Sequence, residues 1–422
     1  MTNPIPSSTR VPINYLYLLR QKNFALLWSA RSVSLVGDVV FLFSVNWLIL
    51  EKTGSAFQVG GNIVVQVLTD IIFASIAGVL ADWWPRRRIM LSSDLLRGGL
   101  VLCLALLLRF TPFNIWYIYF VTFFLTALTN LFTPAFQATL PNVLEKEALI
   151  TGRSLTVGTA RLLQTLGSAI SGVLIAMTGP LLGIAINATS FFLSALAIFF
   201  TTIPESGTKN TSPLTTTIIL GNMRDGWRFI QDRPILVSLF LLFTLSDFGA
   251  AFTWPVHVVF AEKILHGGSQ LYGYLGTAAL LGGFCGAFFI GRYSKWFNRY
   301  VGWSYFTAAF AWGLLSILYG MTSVVSLALG YRFLIGWTLS MIHVPISALL
   351  DSKVEDQYRG RIWSTIGIGS SLVSPISVGL SGILADHWSA RVSYIVAGSL
   401  LIVSAFLVLR LPGIRGARIE ST

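Results

Sequence analysis

The chain has 422 residues, 54% of them hydrophobic and only 11% charged, with a net charge of +12 and a mean hydropathy of +0.73. A soluble domain carries roughly 25% charged residues, so there is too little charge here to coat a water-facing surface. Disorder, a collagen-like repeat and a disulfide scaffold are excluded too, which leaves an integral membrane protein with several spans.

A spanning helix needs about 20 mostly apolar residues. Residues 110–144, 162–204 and 300–331 contain no Asp, Glu, Lys or Arg at all. In chain order the pattern predicts helices at 24–50, 58–81, 89–110, 115–139, 154–177 and 181–203. After a polar stretch, six more follow at 235–260, 271–290, 302–321, 324–350, 364–384 and 392–411. The first is not a cleavable signal, because its apolar run is too long, it holds Arg31 and Asp38, and no small-residue cleavage site follows. Cys103 and Cys285 both sit in apolar runs and say little about redox compartment.

With the N-terminus taken as cytoplasmic, about 21 of the 29 Lys and Arg fall in inner segments. Only Lys52, Arg109, Lys263 and Arg391 fall in outer loops. That bias orients the chain with both termini inside. It also accounts for the positive charge without nucleic acid, the partner such a charge would suggest in a soluble protein.

Residues 204–234 read as a cytoplasmic linker between two six-helix bundles, 24–203 and 235–411. Residues 1–23 and 412–422 read as cytoplasmic ends. The halves echo one another at nearly fixed offset. Asp38 and Asp247 lie 209 apart, Pro134 and Pro345 lie 211 apart, and the Gly152-Arg153 and Gly360-Arg361 pairs lie 208 apart. Ser171-Gly172-Val173-Leu174 and Ser381-Gly382-Ile383-Leu384 lie 210 apart. Internal repeats of this kind mark secondary transporters, whose substrate sits between the halves near the bilayer midplane.

Carboxylates inside spans are functional candidates, since a charge at the bilayer centre costs about 2.5–3.5 kcal/mol even on lenient scales. Asp38, Asp247 and Asp70 all fall roughly 18–21 Å along their helices at about 1.5 Å per residue, near the middle of the hydrocarbon. Each is a candidate proton carrier; the alternative is structural pairing with an arginine inside the membrane. Four arginines lie in spans: Arg31, Arg97, Arg161 and Arg332. Arg31 shares a helix face with Asp38. Asp94 and Arg97 are three apart and can pair within one helix, as structural or gate charges. Phe41, Trp47, Phe73, Phe252 and Trp254 are candidate cavity aromatics.

The histidines are scattered and suggest no metal site. No phosphate-cradling Gly-x-x-x-x-Gly-Lys loop exists, so ATP bound by this chain is not the energy source. No metalloprotease helix or nucleophile elbow points to an enzyme, and no cofactor is implied.

The string GVLADWWPRRR between the second and third helices closely resembles the signature loop of the major facilitator superfamily. Gly78, Leu80, Ala81, Asp82, Arg86 and Arg87 match, while Trp83 and Pro85 depart from it. Read from the residues alone, the loop is a basic inner turn with interfacial tryptophans. The resemblance implies a conformational latch, in which Asp94 and Arg97 lie close by. Arg332 with Gly336 resembles the family's Arg-x-x-x-Gly motif, but on the tenth helix instead of the fourth. On the fifth helix, Gly167 and Gly172 keep the outer glycines of an antiporter element and predict close helix packing. With GDVVFLFSVNWLILEKTGSA and TPAFQATLP, the chain looks most like the bacterial macrolide-efflux and enterobactin-exporter group. The resemblance implies an all-α inner-membrane protein, monomeric, with twelve helices in two pseudo-symmetric bundles. It implies proton-coupled export of amphipathic small molecules. An uptake facilitator for a lipid or nutrient, a non-transporting scaffold and a membrane-embedded enzyme remain open alternatives. A second GILAD string at Gly382–Asp386 falls on the outer side and reads as an echo of the repeat.

Overall fold

The computed structural model describes residues 15–203, 224, 227–411 and 414, with backbone alone at 74–83, 356–357, 361 and 364. The expected linker and both chain ends lie largely outside the described residues, as do the side chains of Gly78 and Asp82. Among the described residues there is no strand, and twelve helices are long and apolar enough to cross a membrane. Helices meet the demand of a medium without water, because each satisfies its own backbone donors and acceptors.

The first six are α1 (Lys22–Thr53), α2 (Ala56–Trp83), α3 (Arg86–Phe110), α4 (Ile115–Val143), α5 (Leu149–Thr178) and α6 (Pro180–Phe199). The second six are α7 (Pro234–Ala251), α8 (Gly268–Arg292), α9 (Val301–Met321), α10 (Val325–Lys353), α11 (Asp356–His387) and α12 (Ala390–Val408).

Three boundaries differ from the sequence expectation for physical reasons. The seventh span is not continuous over 235–260. It turns at 252–255 and resumes as Val256–Val259 and a wider turn, Phe260–Ile264. Pro255 has no N–H and clashes with the carbonyl four residues back, so the helix must open there. The basic loop between the second and third spans shrinks to Trp84 and Pro85, because Arg86, Arg87 and Arg88 already form the first turn of α3. The eleventh helix starts at Asp356, well before its apolar stretch.

Packing repeats with the sequence. In the first bundle α1 packs on α5 and α6, α3 on α4 and α6, and α2 on α4. In the second, α7 packs on α11 and α12, α9 on α10 and α12, and α8 on α10. Each contact in one bundle has its counterpart six helices later. The two most extensive contacts between the bundles, α5 with α8 and α11 with α2, exchange under the same pseudo-twofold, and the Val256–Val259 segment also meets α1.

The repeated Ser-Gly-x-Leu string makes both joints. A Cβ built on Gly172 of α5 would stand 2.6 Å from the Ser269 carbonyl oxygen and 2.9 Å from Gly273 Cα on α8. One built on Gly382 of α11 would stand 2.7 Å from Phe57 Cα on α2. Without a hydrophobic drive between helices in lipid, such close backbone approach supplies the dispersion contact that holds them. Both joints lie at the end of the molecule where α1 turns into α2. A valine at either glycine drives the bundles apart there, and overpacking of this sort costs about 1–3 kcal/mol. We therefore expect Gly172→Val and Gly382→Val to lower the melting temperature of the purified protein. Gly158→Val, whose Cβ would meet nothing within 4 Å, should leave it unchanged.

Candidate functional site

A cavity of about 560 Å³ lies between the bundles. Its walls come from α1 and α2 on one side and from α7 to α10 on the other. Leu42, Phe43 and Asn46 line it from α1, and Gln66 and Asp70 from α2. The Pro255 break in the seventh span brings Trp254 and His257 to the cavity. Tyr272 of α8, Tyr319 of α9 and Arg332 of α10 complete the polar lining.

The cavity roof is the joint between the bundles. Asn46 Nδ2 donates to Tyr272 Oη across it at 3.5 Å, and the Phe43 and Tyr272 rings lie 4.5 Å apart. Nearer the α1–α2 end, Asp386 at the close of α11 receives the Ala56 N–H at 2.6 Å, the Phe57 N–H at 3.1 Å and the Ser55 hydroxyl at 2.5 Å. These are unpaired donors of the first turn of α2, and the positive end of a helix favours a carboxylate. Ser55 meanwhile accepts from the Gln58 N–H at 3.1 Å, as the helix's own cap. Lys263 Nζ donates to the Gly54 carbonyl at 2.5 Å, where α1 ends with a left-handed glycine (φ 65°). Thr277 of α8 bonds Ser168 at 2.7 Å and the Thr165 carbonyl of α5 at 3.2 Å. Among the described residues, the hydrogen bonds between bundles run from mid-helix to the α1–α2 end.

The GILAD string is therefore not an echo of GVLAD. The counterpart of α11 is α5, and Asp386 clasps the N-terminus of a helix in the other bundle.

The intramembrane charges do not fall in one place. Asp94 and Arg97 are both fully buried and ion-paired within α3. Ser194 donates to Asp94 at 2.6 Å, and the Arg97 guanidinium lies 4.5 Å from both the Phe132 and Phe191 ring centres. Arg31 stands 5.6 Å from the centre of the same Phe132 ring, and Asp38 lies in the field of both arginines. Asp38 thus belongs to a balanced cluster in the first bundle and does not line the cavity. Asp247 lies beside Ser370 and His343 in the second bundle, also off the cavity. Asp70 alone of the three candidate carriers faces the cavity, accepting from Asn130 Nδ2 at 2.8 Å. Arg161 is exposed, its Nη1 3.5 Å from Gln164 Oε1.

Of the five aromatics expected in the cavity, only Trp254 lines it. Phe41 and Phe252 are buried in the packing, Trp47 lies half-buried against the core, and Phe73 packs edge-on against Phe123. On helices apolar all round, hydropathy does not distinguish core, lipid and cavity faces. Asn46 and Gln66 were the missed signal, because amides are costly in hydrocarbon and mark wet surfaces.

The profile of the transmembrane secretion effector family matches residues 14–420. The chain belongs to the major facilitator superfamily. Among relatives, it is 21% identical to the MFS-type transporter YvqJ of Bacillus subtilis, over 92% of each chain. It is 22% identical to macrolide efflux protein A of Streptococcus pyogenes, over 91% of this chain and 94% of that one. It is 24% identical to the multidrug efflux pump Tap of Mycobacterium tuberculosis, over 92% and 93%. Its fold matches a bacterial homologue of the lysosomal transporter Spinster in an inward-facing conformation, with a TM-score of 0.71, 14% identity and coverage of 96% and 99%. The protein is a membrane transporter.

In this transporter the basic turn of the superfamily loop holds the first bundle together. Arg86 Nη1 donates to the Ala138 carbonyl of α4 at 2.6 Å, and Arg87 donates to the Phe199 and Ile198 carbonyls at the end of α6. Cations are poorly placed at the start of α3, but helix C-termini offer partial negative charge and free carbonyls. Gly167 meets Val39 of α1, a built Cβ falling 3.1 Å from it. Gly336 lets α10 lie against α8, its Cβ position 3.0 Å from the Gly283 nitrogen. The half-motif on α10 thereby fixes the segment that carries Arg332.

Removing one partner of a buried ion pair strands the other and costs about 3–5 kcal/mol. Arg97→Ala should therefore lower the thermal midpoint of purified protein sharply, whereas Arg161→Ala at an exposed site should shift it little.

Proposed function

We propose that the transporter exports amphipathic small molecules in exchange for protons, by opening the inter-bundle cavity alternately to either side of the membrane. The observation that carries this reading is a cavity with an ionisable wall, lying between two pseudo-symmetric bundles and roofed by the polar and glycine contacts that join them. The basic bias of the sequence favours both termini in the cytoplasm of a bacterial cell. The α1–α2 end then faces outward, and the described state is closed on that side. Relatives named as efflux pumps support export. A cavity that mixes apolar and aromatic walls with a few polar groups suits drug-sized ligands.

In this cycle the carrier is monomeric within the lipid bilayer, and a proton and the substrate use the cavity in turn. Asp70 is the leading proton site because it lines the space the substrate would occupy. Asp247, beside His343, is a second, and Asp38 communicates through the Arg31–Arg97 cluster. One proton falling through 100 mV supplies about 2.3 kcal/mol, and each pH unit adds about 1.4 kcal/mol. One or two protons thus sustain a gradient of roughly a hundredfold or more. Gly78 and Asp82, in the superfamily motif, would act with Arg86 and Arg87 in closing the opposite end.

The test uses energised inside-out vesicles containing a pH-sensitive dye, to which macrolides, lipophilic cations and siderophores are added. Proton efflux on adding a compound is expected for wild type and should fall at least about tenfold in Asp70→Asn. Silence of the wild type across the panel would contradict antiport. A full response in Asp70→Asn that is lost in Asp247→Asn or Asp38→Asn would reassign the proton.

A further inference from the structure

Arg332 is half-buried and, alone of the four intramembrane arginines, lines the cavity. Arg97 is paired with Asp94, and Arg31, which among the described residues also has no carboxylate within 4.0 Å, lies off the cavity in the field of Asp38 and Asp94. Arg332 has no carboxylate within 4.0 Å among the described residues, and its Nε is buried with no hydrogen-bond partner. The nearest ring system under its guanidinium is Tyr319, whose centre is 6.0 Å away. His257 does not serve it, since its ring already engages the Tyr394 hydroxyl at 2.5 Å and approaches Thr253 at 3.4 Å. The other charge in the cavity wall, Asp70, is held by Asn130.

A half-buried guanidinium with no carboxylate beside it is stabilised when a counter-charge arrives. Arginine's planar fork matches carboxylate, phosphate and sulfonate oxygens in particular. Here that fork faces a cavity of about 560 Å³ whose remaining lining includes Leu42, Phe43, Ile63 and Trp254. We propose that the substrate is an amphipathic anion, with one localised oxyanion on Arg332 and an apolar body against the aromatic and aliphatic walls. Asp70 in the same cavity disfavours a molecule negative along its whole length. This inference rests on the cavity being the substrate site, and it selects the anionic class among the amphipathic molecules considered above.

The test is equilibrium binding to the purified transporter in phosphatidylcholine nanodiscs, read as energy transfer from tryptophan, because Trp254 lines the cavity. The probes are 1-anilinonaphthalene-8-sulfonate and its uncharged counterpart N-phenyl-1-naphthylamine. Wild type should bind the sulfonate at least about tenfold more tightly. Arg332→Gln should bring the two affinities together while keeping the uncharged probe bound, which reports an intact cavity. Arg332→Lys should retain part of the preference. Equal affinities in wild type, or an unchanged preference in Arg332→Gln, would overturn the proposal. Should Arg332→Gln fail to fold, wild type alone decides. Naphthalene-1-sulfonate should displace the bound sulfonate probe and naphthalene-1-sulfonamide should not, and equal displacement by both would refute the inference. No proton gradient is involved, so failure of coupling in vesicles and failure of anion recognition are read separately.

Discussion

The first turn of α2 presents backbone donors that its own helix cannot satisfy, and in this protein the other bundle satisfies them. Asp386 at the end of α11 takes the Ala56 and Phe57 N–H groups and the Ser55 hydroxyl. The site is at the rim, where water competes and helix-terminus charges contribute about 0.3–1 kcal/mol. That modest value suits the position. Under the alternating access proposed above, a clasp that opens in each cycle has to be worth little more than the solvation it replaces. The glycine contacts beside it are of the same kind, since they consist of close approach with no covalent or buried ionic tie. The strong ion pair, Asp94 with Arg97, lies inside one bundle. The joint at this end is thus made of polar and close-packing contacts without an ion pair of that kind, which suits the rigid-body rocking proposed above.

The cavity beneath this joint inherits its character from two local irregularities. Pro255 opens the seventh span and turns Trp254 and His257 toward the space between the bundles. Gly336 draws α10 against α8 and fixes the segment carrying Arg332 at the cavity wall. Neither residue itself lines the cavity. Each places a polar group where a regular helix packed at ordinary distance would have left it elsewhere.

Much of the architecture was legible in the sequence because a bilayer imposes length and hydropathy on each span. The repeat was legible as well, and its shared Ser-Gly-x-Leu string proved to make the two equivalent joints. Side-chain direction was not legible. Phe41, Phe73 and Phe252 looked as suited to a cavity as Phe43 and Tyr272, since all sit in uniformly apolar helices. Asp38 looked equivalent to Asp70 by depth, yet only Asp70 reaches the cavity, while Asp38 lies among Arg31, Arg97 and Asp94. Depth along a helix follows from counting residues; azimuth depends on partners supplied by distant segments. Asp386 escaped recognition for a similar reason, because its partner is 330 residues away.

The central claim is that closure at the α1–α2 end is one of two states, held by the Asp386 clasp and its glycine neighbours. Its most direct measurement is the distance distribution between spin labels at two exposed positions on opposite bundles, Lys52 at the end of α1 and Trp388 just past α11. In nanodiscs the account predicts a short-distance population in the wild-type background, with a longer one that grows when Asp386→Ala is introduced. A single narrow distribution, unmoved by that substitution, would contradict it.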